Sequence, residues 1–370
     1  MNLRITSLVC AFFVLVVLLT GCMRNLKSET ILIPDSEEED AGLSDSQPFV
    51  VKTIYRLPLS NEKSSYGWSG AQTVDRVSTI GLAHERFAPP YSESEKLPVL
   101  TDDASIQADG LSPAGGYVSG YSSTRDGLSL WIISLTDHGK KLVQTVQFSR
   151  LGTGRLMWSG TDDYVSYVGM DDNGDYIGVY DTKLGTQKHY SIPDWNRSYS
   201  IQSVMISGDG RNVCIMKEEN GYSGLLIGSW QGDHFEQQYE HRISHDTRPA
   251  WLSNDQAAFV GTDDTLFVYD LRTAEINVLH DRVGSFALSS DRKWIAFTTD
   301  QVAIKAAKLQ GHNVLQEQTI YRGLLPTALD WSPDGSRLLV LGRKPYETSS
   351  SQAAPAIEAQ DSGPLIIQFQ

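Results

Sequence analysis

A serine that follows an apolar residue and precedes a turn-rich cluster recurs seven times along this chain. The copies are Trp68-Ser69-Gly70, Leu111-Ser112-Pro113, Trp158-Ser159-Gly160, Ile206-Ser207-Gly208, Leu252-Ser253-Asn254, Leu288-Ser289-Ser290 and Trp331-Ser332-Pro333. Their serines are separated by 43, 47, 48, 46, 36 and 43 residues, each interval close to the length of one four-stranded propeller blade. The turn is fullest in Ser112-Pro113-Ala114-Gly115-Gly116, Ser207-Gly208-Asp209-Gly210 and Ser332-Pro333-Asp334-Gly335. There proline presets φ at the first turn position, and Asp-Gly or Gly-Gly accepts the left-handed conformation of a tight turn.

Short β-branched or aromatic runs follow these turns, such as Tyr164-Val165-Ser166-Tyr167-Val168 and Trp294-Ile295-Ala296-Phe297-Thr298. A second run then comes in most units, among them Ile177-Gly178-Val179-Tyr180-Asp181 and Leu266-Phe267-Val268-Tyr269-Asp270. Between the two lies hairpin chemistry, Asp172-Asn173-Gly174-Asp175 and Glu219-Asn220-Gly221. No long amphipathic helix is evident in the body. The units resemble the TolB-like or WD40-like β-propellers, on Trp331-Ser332-Pro333-Asp334-Gly335-Ser336-Arg337-Leu338-Leu339 and Phe267-Val268-Tyr269-Asp270-Leu271 above all. That resemblance, over residues 66–370, implies an all-β propeller of seven blades. Six or eight stay open, because Ser69 is followed by Gly-Ala-Gln and Ser253 by Asn-Asp-Gln.

The chain ends in Leu365-Ile366-Ile367-Gln368-Phe369, which leaves no residues for a fourth strand in the last blade. The strand-like run at 49–57 is expected to supply it from the N-terminal side, closing the ring and removing the open edges that invite aggregation. The polar segment 346–363 is expected to be a long hairpin loop in that closing blade.

Ahead of the body, Arg4 and an uninterrupted apolar stretch of 12 residues at 8–19 lead into Leu19-Thr20-Gly21-Cys22. This resembles the lipobox of bacterial lipoprotein signal peptides, and the stretch falls short of the ~20 residues a membrane-spanning helix needs. The resemblance implies that residues 1–21 are removed and that Cys22 carries an S-diacylglycerol and an N-acyl group. Two or more acyl chains hold a protein to a membrane effectively permanently. Residues 22–47, with Glu37-Glu38-Glu39-Asp40, are too polar and acidic to offset the entropy of ordering and are expected to be a disordered tether; residues 48–370 form the propeller. The whole chain is similar to uncharacterised propeller lipoproteins of spore-forming Gram-positive bacteria, which implies an extracytoplasmic location at the cell membrane.

Charge narrows the partners. With 31 basic against 45 acidic residues, a formal net charge of -14, the chain lacks the basic footprint of a nucleic-acid binder. Once Cys10 leaves with the signal and Cys22 is acylated, Cys214 stands alone, so burial must hold the fold without an intrachain disulfide. In the run Asn212-Val213-Cys214-Ile215-Met216 it reads as a small buried hydrophobe.

Candidate sites are sparse. No nucleophile elbow and no phosphate-cradling loop with lysine is found. His241, His245 and Asp246 lack the zinc-protease glutamate and a helical spacing. Asp171, Asn173 and Asp175 open like a calcium loop, yet Tyr176 stands where its glycine belongs, so a hairpin turn is expected. Trp68, Trp158 and Trp331 read as wedges between blades, whereas Trp195, Tyr199 and Trp230 are the loop aromatics a sugar platform would use. The expectation is therefore an anchored scaffold for an envelope protein or glycan, with no cofactor, metal or catalytic residue assigned. The alternative is a propeller enzyme of glycosidase, lyase or lactonase type with channel-facing carboxylates and histidines.

Overall fold

The recurrent serine ties its turn through two hydrogen bonds. The amide five residues on donates to its Oγ, which in turn donates to the carboxylate two residues on. In the computed structural model these distances are 2.9 and 2.7 Å at Ser207 (from Asn212, to Asp209). They are 3.0 and 2.7 Å at Ser289 (from Trp294, to Asp291) and 2.9 and 2.6 Å at Ser332 (from Arg337, to Asp334). All three serines are buried, so each hydroxyl needs both partners. Ser112 has alanine two residues on; Asp162, from the next unit's turn, reaches across to accept from Ser112 Oγ at 2.8 Å and from the Ala114 amide at 2.8 Å.

The structure describes residues 30–31, 48–60, 62–149, 151–152, 155–172, 174–192, 199–245, 247–300, 302–344 and 361–370. Cys22, residues 1–21, expected to be a signal segment, and most of the span expected to be a tether lie outside them. The strands are, in chain order, β1 Thr30–Ile31 and β2 Val51–Arg56, then β3 Ser64–Trp68, β4 Val74–Ser78, β5 His84–Phe87 and β6 Ser94–Leu97. Next come β7 Gln107–Leu111, β8 Tyr117–Ser123, β9 Gly127–Ser134 and β10 Lys140–Gln147, followed by β11 Met157–Trp158, β12 Tyr164–Asp171, β13 Gly174–Asp181 and β14 Thr186–Ser191. Then β15 Tyr199–Ile206, β16 Asn212–Glu219, β17 Tyr222–Gln231 and β18 His234–Arg242 precede β19 Ala250–Ser253, β20 Gln256–Val260, β21 Leu266–Asp270 and β22 Glu275–His280. The last are β23 Phe286–Leu288, β24 Trp294–Asp300, β25 Ala303–Gln310, β26 Asn313–Arg322, β27 Leu325–Trp331, β28 Arg337–Arg343 and β29 Asp361–Phe369. No helix occurs among the described residues.

These strands form antiparallel meanders arranged like propeller blades. Four sheets are four-stranded, one is five-stranded in the order β1-β2-β29-β28-β27, and one is eight-stranded. The eight-stranded sheet consists of two meanders, β11 to β14 and β15 to β18, joined by one parallel pairing, Ser191 with His234. Each core cluster lies between consecutive meanders. For instance, Val165 and Tyr167 of β12 pack with Leu130 and Ile132 of β9, whereas the next residue along, Val168, packs with Val204 and Ile206 of β15. Both sheet faces are covered, which is why the second strand of most units reads as a continuous apolar run.

The N-terminal strand closes the ring as expected. β2 pairs antiparallel with β29 from Val51 opposite Phe369 to Arg56 opposite Leu365. The strand is shorter than the 49–57 run because Phe49 leaves the ladder and inserts its ring 5.1 Å from that of Trp294 and 5.6 Å from that of Phe369. The last cluster, Leu57, Leu339 and Ile366 against Trp68, Val74 and Phe87, joins the end of the chain to its first meander. One expectation needs correction. Asp361, Ser362 and Gly363 belong to β29, whose pairing with β28 continues past the apolar run, so the insert outside the described residues is 345–360. Thr30 and Ile31, within the span expected to be a tether, pair with the outer edge of β2 opposite Tyr55 and Ile54.

The tryptophans bolt neighbours together. Trp68 Nε1 donates to the Asp330 carbonyl (3.0 Å), Trp331 Nε1 to that of Ala287 (3.2 Å) and Trp251 Nε1 to that of Met205 (3.3 Å), each reaching the preceding meander. Trp158 stacks on Tyr117, ring centroids 5.9 Å apart. The turn glycines complete the joint: Gly115 has φ of 71°, and a Cβ there would lie 2.0 Å from the Trp68 carbonyl oxygen. Gly115→Ala is therefore expected to cost at least 2 to 3 kcal/mol, about 1 from the left-handed conformation and the rest from displacing that carbonyl. Urea unfolding midpoints of the two proteins would check this.

Candidate functional site

The innermost strands, β3, β7, β11, β15, β19, β23 and β27, stand at the ends of their sheets, toward the axis of the propeller-like arrangement, and β3 packs on β7, β11 on β15, β19 on β23 and β23 on β27. All serine turns lie at one end of that axis. The opposite end carries the loops that lead into the inner strands and the hairpins that join second to third strands. Bulges interrupt three inner strands there: Asp109 in β7, Gln202 in β15 and Thr327 in β27 stand unpaired between their register-matched neighbours. A bulge re-aims its extra side chain, here a polar one each time.

Asp109 is the centre of a cationic rim. Arg155 Nη1 lies 3.3 Å from its carboxylate, and the guanidinium rests 5.8 Å over the Tyr121 ring. The charges of Arg248 and Lys63 also act on Asp109. Burial pushes this carboxyl up and the cations, Arg155 foremost, pull it back; the net shift is upward. Lys63, Arg155 and Arg248 are all exposed and come from three separate loops, each immediately ahead of an inner strand. Beside this rim is a polar cleft of about 600 Å³, lined by Ser244, Arg282, Ser285, Thr298 and Thr327 among others.

Deeper along the axis lies Asp330, two residues ahead of Ser332. Solvent reaches its side chain, yet desolvation by the surrounding protein lifts its carboxyl to about 7. It makes no side-chain hydrogen bond or ion pair among the described residues. Such a carboxyl is half protonated near neutrality, the state a general acid needs.

A second charged cluster is structural. Asp75 is fully buried on β4 and accepts from His84 Nε2 (2.8 Å), from Arg86 Nε and Nη2 (2.8 and 2.9 Å) and from Ser69 Oγ (2.7 Å). In this first unit the turn lacks an aspartate two residues on, and Asp75 takes the part that Asp209 and Asp334 play elsewhere. Burial alone would raise its pKa; the bonds from Arg86, His84 and Ser69 outweigh that and hold it at about 2.

The earlier candidates disperse. His241 stacks on Tyr239, which bonds its Nδ1 at 2.9 Å, while His245 Nδ1 meets Ser223 Oγ at 2.9 Å; Asp246 lies outside the described residues. No group of three or more His, Cys, Asp or Glu side chains suited to a metal ion forms among the described residues. Asp171 pairs with Gly174 across a hairpin, as expected; Asn173 and Trp195 are outside the described residues. Tyr199 and Trp230 are not loop aromatics: each lies in a strand, with Lys217 Nζ 4.8 Å over the Tyr199 ring and Trp230 stacked 3.9 Å from Tyr190. Cys214 is fully buried, and burial pushes its thiol up. What the sequence reading missed, Asp109, Asp330 and the three cations, had a signal of position: Lys63, Arg155 and Arg248 stand four to six residues ahead of a repeat serine.

Among proteins of known structure, this arrangement is that of a β-propeller. The chain is similar to oligogalacturonate lyase from Vibrio parahaemolyticus, with a TM-score of 0.58 and 9% identity over 93% of this chain and 96% of that one. It is also similar to an oligogalacturonate lyase in complex with manganese (0.57, 9%, 93% and 98%) and to a chain of the mitotic checkpoint complex (0.53, 14%, 90% and 96%). At such identities the likeness defines the fold alone. Sequence comparison finds no matching protein family and no matching curated protein.

Proposed function

We propose that this chain is a lipoprotein anchored through Cys22 on the outer side of the cell membrane, whose propeller holds an envelope protein or glycan at its loop face. The ring is best counted as seven blades, because a single pairing between Ser191 and His234 is too little to merge two four-stranded meanders into one structural unit. The observation that carries a binding role is the rim around Asp109 with its adjoining polar cleft, set on a ring whose neighbours are locked by tryptophan bonds. The acidic tether would hold that face off an anionic membrane surface.

A second reading rests on Asp330, whose raised carboxyl in a confined setting suits a propeller enzyme. The manganese of the second lyase does not transfer to it. No set of donors for such an ion is gathered among the described residues, so no step is derived through a metal.

Cross-linking in intact cells, followed by identification of what co-purifies with the anchored protein, tests the scaffold. Cys22→Ser is expected to move the protein from the membrane to the soluble fraction, and the wild type is expected to recover a discrete partner. Retention of Cys22→Ser in the membrane would overturn the anchor. Turnover of a glycan library that is lost in Asp330→Asn, with no partner recovered, would replace the scaffold by the enzyme.

A further inference from the structure

We propose that the mouth around Asp109 is a receptor for an anionic polymer of sugar or polyol units, gripped by Lys63, Arg155 and Arg248. This rests on the binding role proposed above and names its ligand. The chain carries a formal charge of -14, so a cationic locus runs against its overall field and marks where an anion can approach. The three cations come from three loops of the ring and act together on one carboxylate. Asp109 can offset at most one of them. Only Arg155 is ion-paired to it; Lys63 and Arg248 make no ion pair among the described residues. Bulging of β7 at Asp109 aims this counter-charge at the mouth, where it steadies the Arg155 guanidinium over Tyr121.

The surroundings favour a sugar polymer over other anions. The loop that carries Arg248 includes Ser244, a lining residue of the neighbouring cleft, which also offers the hydroxyls of Ser285, Thr298 and Thr327, the carboxylate of Asp264 and the cation of Arg282, itself 3.8 Å from Asp281. Hydroxyl-rich walls beside fixed cations suit a chain that alternates charged groups with sugar or polyol hydroxyls. A nucleic-acid strand would call for exposed aromatic platforms, and the expected loop aromatics Tyr199 and Trp230 are instead in strands. Guanidinium groups bind carboxylate and phosphate alike, so either charge would fit the mouth.

The full-length lipoprotein in detergent micelles, titrated calorimetrically at low ionic strength, provides the test. The probes are polygalacturonate for carboxylate, poly(glycerol phosphate) for phosphate and dextran as the neutral control. One or both polyanions are expected to bind, with affinity falling as salt rises, and dextran not to bind. Which polyanion binds more tightly identifies the charged group. The triple substitution Lys63→Ala, Arg155→Ala and Arg248→Ala is expected to weaken binding about tenfold or more, by loss of three exposed ionic contacts. Arg211→Ala with Lys293→Ala, on the serine-turn face, should leave it unchanged. Equal binding by the triple variant, or no binding of either polyanion, would overturn the proposal. If the triple variant binds the polyanions as the wild type does while the wild type still captures a partner in cells, the scaffold stands and the glycan mouth falls.

Discussion

Deleting residues 49–57 is expected to abolish the cooperative unfolding transition. The deletion removes β2 and with it three buried apolar side chains, Phe49, Ile54 and Leu57. Losing a buried side chain of that size costs about 2 to 5 kcal/mol, so the sum is comparable to the whole stability of a typical domain, about 5 to 15 kcal/mol. It also exposes β29 as an open edge beside the clusters it helps to seal. The milder Phe49→Ala leaves the ladder in place and removes only the ring wedged among Trp294, Trp331 and Phe369. About 3 to 5 kcal/mol should be lost, and at about 2 to 4 °C per kcal/mol the thermal midpoint should fall by roughly 10 °C. Calorimetry of the three proteins checks both. A deletion variant that melts like the wild type would mean that β2 decorates the ring without closing it.

Asp75→Ala should be nearly as damaging, although it touches no ligand. The change leaves the Arg86 guanidinium and the His84 imidazole facing a fully buried space where their carboxylate was. Breaking a buried ion pair from one side costs about 3 to 5 kcal/mol. Acid should reproduce part of that loss. The folded carboxyl sits at about 2 against an ordinary 3.8, so its contribution, about 2 kcal/mol, is complete above about pH 4 and disappears as pH falls through 2. Urea midpoints of the wild type and Asp75→Ala should accordingly differ most near neutrality and converge toward pH 2. A gap that stays constant over that range would show that Asp75 acts by packing, not by charge.

How far the sequence carried is best seen at particular residues. Ser207, Ser289 and Ser332 could be placed by their spacing, because a turn is a local event: six consecutive residues supply donor, acceptor and bend. The closure by β2 was readable from a shortfall of one strand at the C-terminus, since a ring cannot leave an edge unpaired without consequence. Tyr199 and Trp230 were misplaced because nothing within a few residues of either tells a loop aromatic from one packed on a strand. Asp75, His84 and Arg86 escaped notice for a related reason. They stand on one face of two paired strands, and the need that draws them together is the missing aspartate in the turn after Ser69.

The mouth was the least accessible feature. Lys63, Arg155 and Arg248 are scattered over a chain whose overall charge is acidic. Only the circular order of the meanders brings three loops to one rim and reverses the local sign of charge. The chain by itself determined the repeat, the β architecture and the way the ring is closed. These follow from local turn chemistry, strand period and the count of strands. Which side chains share the axis, and how strongly confinement there shifts Asp109 and Asp330, was decided by the tertiary structure alone. Electrostatics depends on distance through space and on what displaces water, and neither is a property of neighbours along the chain.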